Sequence, residues 1–310
     1  MNFIPVSTSD YKRLEPFFRD QPHEHSAYCL SGLVAWNNCA FNNYYALSDK
    51  TALVYESPEA DPSSAYLLMP VSGGRDIPPC ELAQALKKSA RAELRFVPQG
   101  YVEKHRTELE KLFAISEQPE YEDYVYLQKD LALLEGRKYA KKRNLLRQFE
   151  REYLAAGRVK MESISRANIQ HCIALADQWY KSHSTLGGSP TAELMCDRKA
   201  LLQTLNNFGD TGASGLLISV DAKPAGLGIA SRLKADTAVL NFEKALDSVK
   251  GLYQYLDREC AAKLCKGCTY VNKESDLGEP GLRQAKESYF PSLRVKAFRL
   301  RPRTDAQPRK

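Results

Sequence analysis

No apolar run in this chain reaches the ~18 residues of a membrane-spanning helix. The opening residues Met1-Asn2-Phe3-Ile4-Pro5 lack the charged stretch and apolar core of a signal peptide. The expectation is a soluble, cytoplasmic chain, with the inner membrane surface open to it as a peripheral site. Histidine is scarce: there are 5, and His105, His171 and His183 stand without a serine or acid pattern beside them. A Ser-His-Asp triad therefore has no support. His23 and His25 flank Glu24 but form no ligand set of familiar spacing. The 8 cysteines also lack such spacing. Cys29, Cys39, Cys80, Cys172 and Cys196 are scattered, and Cys265-Lys266-Gly267-Cys268, with Cys260 upstream, has neither a second pair nor a histidine nearby. A structural zinc site needs four close ligands. No metal is expected, and the cysteines read as reduced and mostly buried.

A hydrophobic content of 43% with 26% charged residues is that of a globular protein, and 310 residues suffice for two ordinary domains. The net charge of +6 is modest but unevenly placed. Arg137, Lys138, Lys141, Lys142, Arg143 and Arg147 share one segment, with no acid between Glu135 and Glu150. Leu145, Leu146, Phe149 and Tyr153 add an apolar stripe at helical spacing. The segment is a helix with one buried face and one basic flank, suited to a polyanion: tRNA, coenzyme A phosphates or anionic headgroups. The plainer alternative is a solvated helix surface. A second basic run, from Arg299 to Lys310, has two prolines and few apolar residues and reads as a frayed tail.

Along the chain, a helix spans Asp10 to Arg19. Thr51–Glu56 and Ala65–Val71 form a hairpin with a longer loop. A helix from Cys80 to Ala92, a strand Glu93–Val97, a helix Val102–Ala114 and a strand Tyr121–Leu127 follow. The second half has helices over Ala167–Lys181 and Glu193–Asn207, with Trp179 anchoring the core. A hairpin of Gly215–Val220 with Pro224–Leu233 comes next, then a strand Thr237–Phe242 and a helix from Gly251 to Leu264. A strand Cys268–Asn272, a short helix and a closing strand Leu293–Leu300 complete it. Both halves run hairpin, helix, strand, helix, strand. The expected organisation is two tandem α/β units, 1–133 and 159–300, bridged by a basic helix over 134–158 and followed by the tail 301–310.

The segment from Val271 to Pro291 carries the most information. It reads as a strand end, a polar turn through Asp276, Gly278 and Gly281, and a helix with Pro280 in its first turn and Pro291 as its stop. Glu274 and Asp276 precede the helix, and Arg283 and Lys286 lie three apart on one side of it. Both charge signs converge at a strand-to-helix junction, where α/β sheets commonly bind ligands. Capping and solvated charge are the plainer account.

The element order resembles an acetyltransferase-like (GNAT) unit, with a mixed sheet and a phosphate loop before a helix. In the second half that loop is Ala245–Gly251. It has one glycine where the signature has Q/R-x-x-G-x-G/A; Gly73 and Gly74 hold the matching place in the first half. Asp123-Tyr124-Val125-Tyr126, Gly136 to Asn144, Phe242-Glu243-Lys244-Ala245, Lys250-Gly251-Leu252-Tyr253-Gln254 and the 271–291 segment occur in this order. Together they resemble the C-terminal catalytic domain of bacterial phosphatidylglycerol lysyltransferases, and more closely its free-standing relatives.

That resemblance implies an α/β (α+β) fold of two acetyltransferase-like units with mixed sheets. It implies transfer of an aminoacyl group from aminoacyl-tRNA to a lipid headgroup, without a cofactor. The lysyltransferases also carry a large membrane domain that this sequence does not show, so a peptide or small amine acceptor stays open. By the same resemblance Asp276 takes the aminoacyl ammonium, Glu274 orients or acts as base, Arg283 and Lys286 stabilise developing negative charge, and Glu243 completes the catalytic set. Asn272, Lys244, Lys250, Tyr253 and Tyr289 line the substrate site. Arg137, Lys138, Lys141, Lys142 and Arg143 contact the nucleic acid. The plainer accounts are a Glu243–Lys250 pair, Asn272 as a turn cap, and Tyr253 and Tyr289 as packed aromatics. Two other functions remain: an acyl-coenzyme A N-acyltransferase, with coenzyme A thioester as cosubstrate, and a non-catalytic module for RNA or an acidic membrane surface.

Overall fold

Among the described residues the β-forming runs build two mixed sheets of seven strands, and each half of the chain supplies seven strands in all. The computed structural model describes residues 2–37, 41–48, 50–184 and 191–303. The first half supplies β1 (Ile4–Pro5), β2 (Phe41–Ser48), β3 (Thr51–Pro58), β4 (Tyr66–Leu67), β5 (Leu94–Pro98), β6 (Phe113–Glu117) and β7 (Asp123–Leu127). Its helices are α1 (Tyr11–Arg19), α2 (Leu30–Ala35), α3 (Pro79–Ser89), α4 (Gln99–Leu112) and α5 (Gln128–Leu133). The basic segment is α6 (Ala140–Phe149). The second half follows with β8 (Val159–Ser163), α7 (Ile169–Ser184), α8 (Ala192–Asn206), β9 (Ser214–Val220), β10 (Lys223–Lys234) and β11 (Thr237–Ala245). It ends with α9 (Leu252–Glu259), β12 (Tyr270–Asn272), α10 (Pro280–Glu287), β13 (Leu293–Val295) and β14 (Ala297–Pro302).

The two sheets have the same plan. One runs β1-β2-β3-β4-β5-β14-β6 and the other, from the opposite edge, β8-β9-β10-β11-β12-β7-β13. Each contains one parallel pair, β4–β5 and β11–β12, and every other pairing is antiparallel. In both, a helix (α3 or α9) makes the crossover that a parallel pair requires. This is a tandem acetyltransferase-like fold, with the basic helix α6 between the units.

The strand following Tyr121 and the closing strand behave differently from the sequence expectation. β7 comes from the first half but lies in the second sheet, between β12 and β13. The segment expected as one closing strand breaks at Lys296. Its first part stays beside β7, whereas β14 crosses to the first sheet and pairs with both β5 and β6. The two units have exchanged their last strands. Periodicity reports that a strand is buried, not which of two similar sheets receives it. A hairpin partner was also missed: β3 pairs along its length with β2, and only Tyr55 and Glu56 pair with β4.

α9 closes on the second sheet because β10 offers it small residues. A Cβ on Gly226 would stand 3.6 Å from Leu252, and one on Gly228 3.4 Å from Leu256. α6 then packs on α9 through buried Leu146 and Phe149, the Phe149 ring stacking on Tyr255 at 4.7 Å. Gly251 (φ +82°) permits the contact, since a Cβ there would lie 2.3 Å from the Leu145 carbonyl oxygen. α7 and α8 cover the opposite face with Leu175, Leu201 and Leu205 against Leu217, Leu227 and Ile229.

Cys29, Cys172, Cys260, Cys265 and Cys268 are free and buried, and Cys80 is free and exposed. Cys196 departs from the expected reduced state and is disulfide-bonded. Cys39 and the tail from residue 304 lie outside the described residues. Among the described residues no three His, Cys, Asp or Glu side chains are grouped to hold a metal. His23 is packed on Tyr28, and burial lowers its pKa to about 4. His25 caps a short helical turn by accepting from the Ala27 amide.

Candidate active site

The parallel strands β11 and β12 pair only from Thr237–Tyr270 to Val239–Asn272. β11 then continues to Ala245, with a bulge at Asn241 between the pairs Ile229–Phe242 and Ala230–Leu240. The chain after β12 turns away instead. A wedge opens between them, and bulges of this kind re-aim side chains beside functional sites.

The turn that leaves β12 is held from several sides. Asn272 has no exposed surface; its amide donates to Asp123 Oδ2 at 2.8 Å, and its Oδ1 accepts from the Glu274 amide at 2.7 Å. Asp123 is likewise buried and accepts from the Ser26 amide (2.6 Å) and hydroxyl (3.0 Å) of the first unit. Glu274 has φ +59°, which a glutamate adopts only under constraint. Lys286, reaching back from α10, supplies part of that constraint. Its ammonium donates to the carbonyl oxygens of Lys273 (2.5 Å), Glu274 (3.1 Å) and Ser275 (2.5 Å). Asp276 is buried and accepts from the Tyr124 hydroxyl (2.5 Å), the Gly278 amide (2.9 Å) and Arg283 Nε (2.7 Å). Arg283 beside it holds its carboxyl well below the usual carboxylate range. A cleft of about 300 Å³ opens outside this turn, bordered by Glu122, Tyr124, Arg283 and Arg294.

Two further clusters flank the wedge. In the first, Lys273 Nζ lies 2.7 Å from Glu243 Oε2 and 2.9 Å from Asp257 Oδ1. Burial opposes its charge, but the two acids more than offset this and hold Lys273 well above its ordinary value. The Tyr289 ring is 5.3 Å from Lys273 Nζ, and Lys142 Nζ is 3.9 Å from the centre of the same ring. In the second, Lys244 Nζ is 2.6 Å from Asp197 Oδ2 and lies over the Trp179 ring at 4.3 Å. Trp179 Nε1 donates to the Tyr253 hydroxyl at 3.0 Å.

Two glutamates face neutrality. Burial and the neighbouring Asp257 push Glu243 up to about 7 against the pull of Lys273. Burial, with Asp123 and Asp197 nearby, pushes Glu274 up to about 7 against the pull of Lys286. Burial in turn brings Lys286 down to about 8. Groups tuned toward the working pH are suited to proton transfer.

The sequence-derived set is therefore spread over distinct positions. Glu274, Asp276, Arg283, Lys286 and Asn272 meet in one turn; Glu243 and Tyr289 belong to the Lys273 cluster; Lys244 and Tyr253 belong to the Trp179 cluster. Lys250 is exposed, and Glu243 pairs with Lys273 rather than with it. Arg137 and Lys141 are exposed on the basic segment, whereas Lys138 pairs with Asp130 at 3.3 Å. Arg143 donates to the Leu134 and Gly136 carbonyls, and Lys142 turns inward, burial lowering its pKa. Sequence reasoning passed over Lys273, Asp257, Asp123 and Asp197. Lys273 stood inside the 271–291 segment, and Asp123 inside the Asp123–Tyr126 motif.

Fold and wedge are those of a tandem acetyltransferase-like chain. The chain belongs to the family described as "Phosphatidylglycerol lysyltransferase, C-terminal", whose profile matches residues 18–301. A conserved protein of unknown function from Bacteroides thetaiotaomicron shares its fold at TM-score 0.85 and 24% identity, over 98% of this chain and 100% of that one. The C-terminal domain (DUF2156) of an Agrobacterium fabrum protein, named as a candidate lysylphosphatidylglycerol synthetase, matches at TM-score 0.64 and 14% identity, over 94% of this chain and 91% of that one. No curated protein matches the chain.

Proposed function

We propose that this chain moves an aminoacyl group from aminoacyl-tRNA to an amine or hydroxyl acceptor in the wedge between β11 and β12, with Glu274 as general base. The acceptor class includes lipid headgroups, peptides and small amines. The observation that carries this reading is Glu274 itself: a half-buried carboxylate with pKa about 7, fixed at positive φ where the parallel strands part.

The acceptor's nitrogen or oxygen attacks the ester carbonyl of the donor, and Glu274 takes the proton that the attacking atom loses. Collapse of the tetrahedral intermediate breaks the ester C–O bond, and the same proton passes to the departing ribose oxygen. Correct placement of the two reactants supplies much of the rate. Asn272 and Lys286 act through Glu274: both fix its backbone, which makes them positioning residues. Asp276 has the same character here. Its oxygens are taken up by Tyr124, Gly278 and Arg283, so it shapes the turn more readily than it receives an ammonium. The exposed cations Arg137 and Lys141 fit a tRNA backbone, each neutralised phosphate adding a salt-dependent increment of affinity.

The test is transfer of label from a mixed aminoacyl-tRNA pool into cell lipids, peptides and small amines. An enzyme-dependent product that Glu274→Gln loses, with its melting temperature kept, is the expected result. Undiminished product from Glu274→Gln overturns the base assignment. No product, with a coenzyme A-dependent rise in melting temperature, replaces the reading with an acyl-coenzyme A N-acyltransferase.

A further inference from the structure

Lys244 holds an unusual position for a lysine. It is 9% exposed, on β11, next in sequence to Glu243. Its ammonium meets Asp197 Oδ2 at 2.6 Å and lies 4.3 Å from the Trp179 ring centre and 5.3 Å from that of Tyr180. A carboxylate with two aromatic faces is how proteins recognise organic cations. The three cage residues come from α7 and α8. They are also held by contacts that do not involve Lys244. The Tyr180 hydroxyl donates to Asp197 Oδ2 at 2.5 Å, and Trp179 is tied to Tyr253 and stacked on His183 at 3.8 Å. Contacts other than those of Lys244 thus tie the cage walls in place.

A buried lysine is an expensive way to fill space, since an apolar side chain of similar volume often serves as well. Its four-carbon stem is flexible, so its ammonium can withdraw without backbone movement. The cage also sits beside the chemistry: Asp197 is near enough to Glu274 to help raise its pKa.

We propose that Trp179, Tyr180 and Asp197 form a receptor for a primary alkylammonium group, and that Lys244 occupies it in the resting protein as a stand-in for that ligand. Substrate binding displaces the lysine ammonium from the cage. The inference rests on the reading of the wedge as the transfer site for the identity of the ligand, which is either the amino group of the donor amino acid or an amine acceptor. The cage itself can be tested without any transfer.

The chain has 2 tryptophans, Trp36 and Trp179. Trp36→Phe leaves Trp179 as the sole indole, so its fluorescence reports on the cage in the full-length protein. Pentylamine is the probe and pentanol its neutral control. The expected result is a saturable change with pentylamine, none with pentanol, and loss of the response in Asp197→Asn. In Lys244→Met the pentylamine Kd tightens about tenfold if the lysine fills the cage about nine-tenths of the time. Equal response to pentanol, indifference to Asp197→Asn, or weaker binding in Lys244→Met overturns the proposal. If Lys244→Met fails to fold, the Trp36→Phe protein with Lys244 intact still decides: no saturable change with pentylamine there overturns it. Lysinamide binding more tightly than ethanolamine assigns the cage to the donor, and the reverse order assigns it to the acceptor. Ammonium binding without any aminoacyl product keeps the cage and removes the transferase reading; transfer without ammonium binding does the opposite.

Discussion

Lys273 Nζ stands between two acids, 2.7 Å from Glu243 Oε2 and 2.9 Å from Asp257 Oδ1. One cation thus serves two carboxylates from β11 and α9, and it directly follows β12, which lies between β11 and β7. Removing it leaves both acids buried without their counter-charge. Lys273→Met is expected to cost on the order of 3–5 kcal/mol, the penalty for breaking a buried pair. Glu243→Gln is expected to cost less, because Asp257 still balances Lys273. Urea denaturation of the two variants checks the order. A Lys273→Met loss below that of Glu243→Gln would show that Lys273 is not the counter-charge on which both acids depend.

The pH dependence of transfer follows from the same turn. Glu274 acts as base only when ionised, so the rate rises as pH passes through about 7. Lys286 holds the Glu274 carbonyl as an ammonium, and that form is lost as pH rises through about 8. The profile is expected to be a narrow bell whose two limbs belong to the pair jointly, because the groups interact. Glu274→Gln is expected to lose about 10²–10⁴ in rate, the usual worth of a general base, together with the rising limb. A rising limb near pH 4–5 in the native protein would point to an unperturbed carboxylate instead.

Much of this was legible in the residues. The 271–291 segment announced its turn through Gly278, Pro280 and Pro291, because backbone constraints are local. The basic helix was legible too, from a charge run opposite Leu146 and Phe149. What the sequence hid were partnerships across distance. Lys273 and Asp257 sit in unremarkable local patterns, and their value comes from facing Glu243 across two strands and a helix. Lys142 looked like its neighbours, yet its helical angle turns it onto Tyr289. The cage of Trp179, Tyr180 and Asp197 joins α7 to α8, a pairing that local residue patterns do not announce.

The basic segment offers a sharper test because its cations are not equivalent. Arg137 and Lys141 are exposed, whereas Lys142 is turned inward onto Tyr289. Charge reversal at Arg137 and Lys141 together is expected to weaken tRNA binding and to flatten the dependence of log K on log salt by about one per lost phosphate contact. Lys142→Met is expected to leave that slope alone and to act on stability. A titration series between low and moderate salt separates the two, and a slope unchanged by the double reversal would move the nucleic-acid surface elsewhere.

The exchanged strands make each unit depend on the other. Leu300 of β14 has no exposed surface and pairs with Leu94 and Ile115 in the first sheet, although its chain has just left the second. In return β7 lies between β12 and β13, where Tyr126 pairs with Val271. Neither sheet can be completed by its own half of the chain. Leu300→Ala is expected to destabilise the first unit by about 2–5 kcal/mol through the cavity it leaves. Amide exchange should show the loss first in β5 and β6, the strands that β14 joins. Global unfolding should nevertheless remain one cooperative transition, because releasing β14 frees the chain that follows β13 and so weakens the edge of the second sheet. Two separated transitions, with β7 and β12 protected after β5 and β6 have opened, would mean that the units are stable apart and the exchange is only a matter of connectivity.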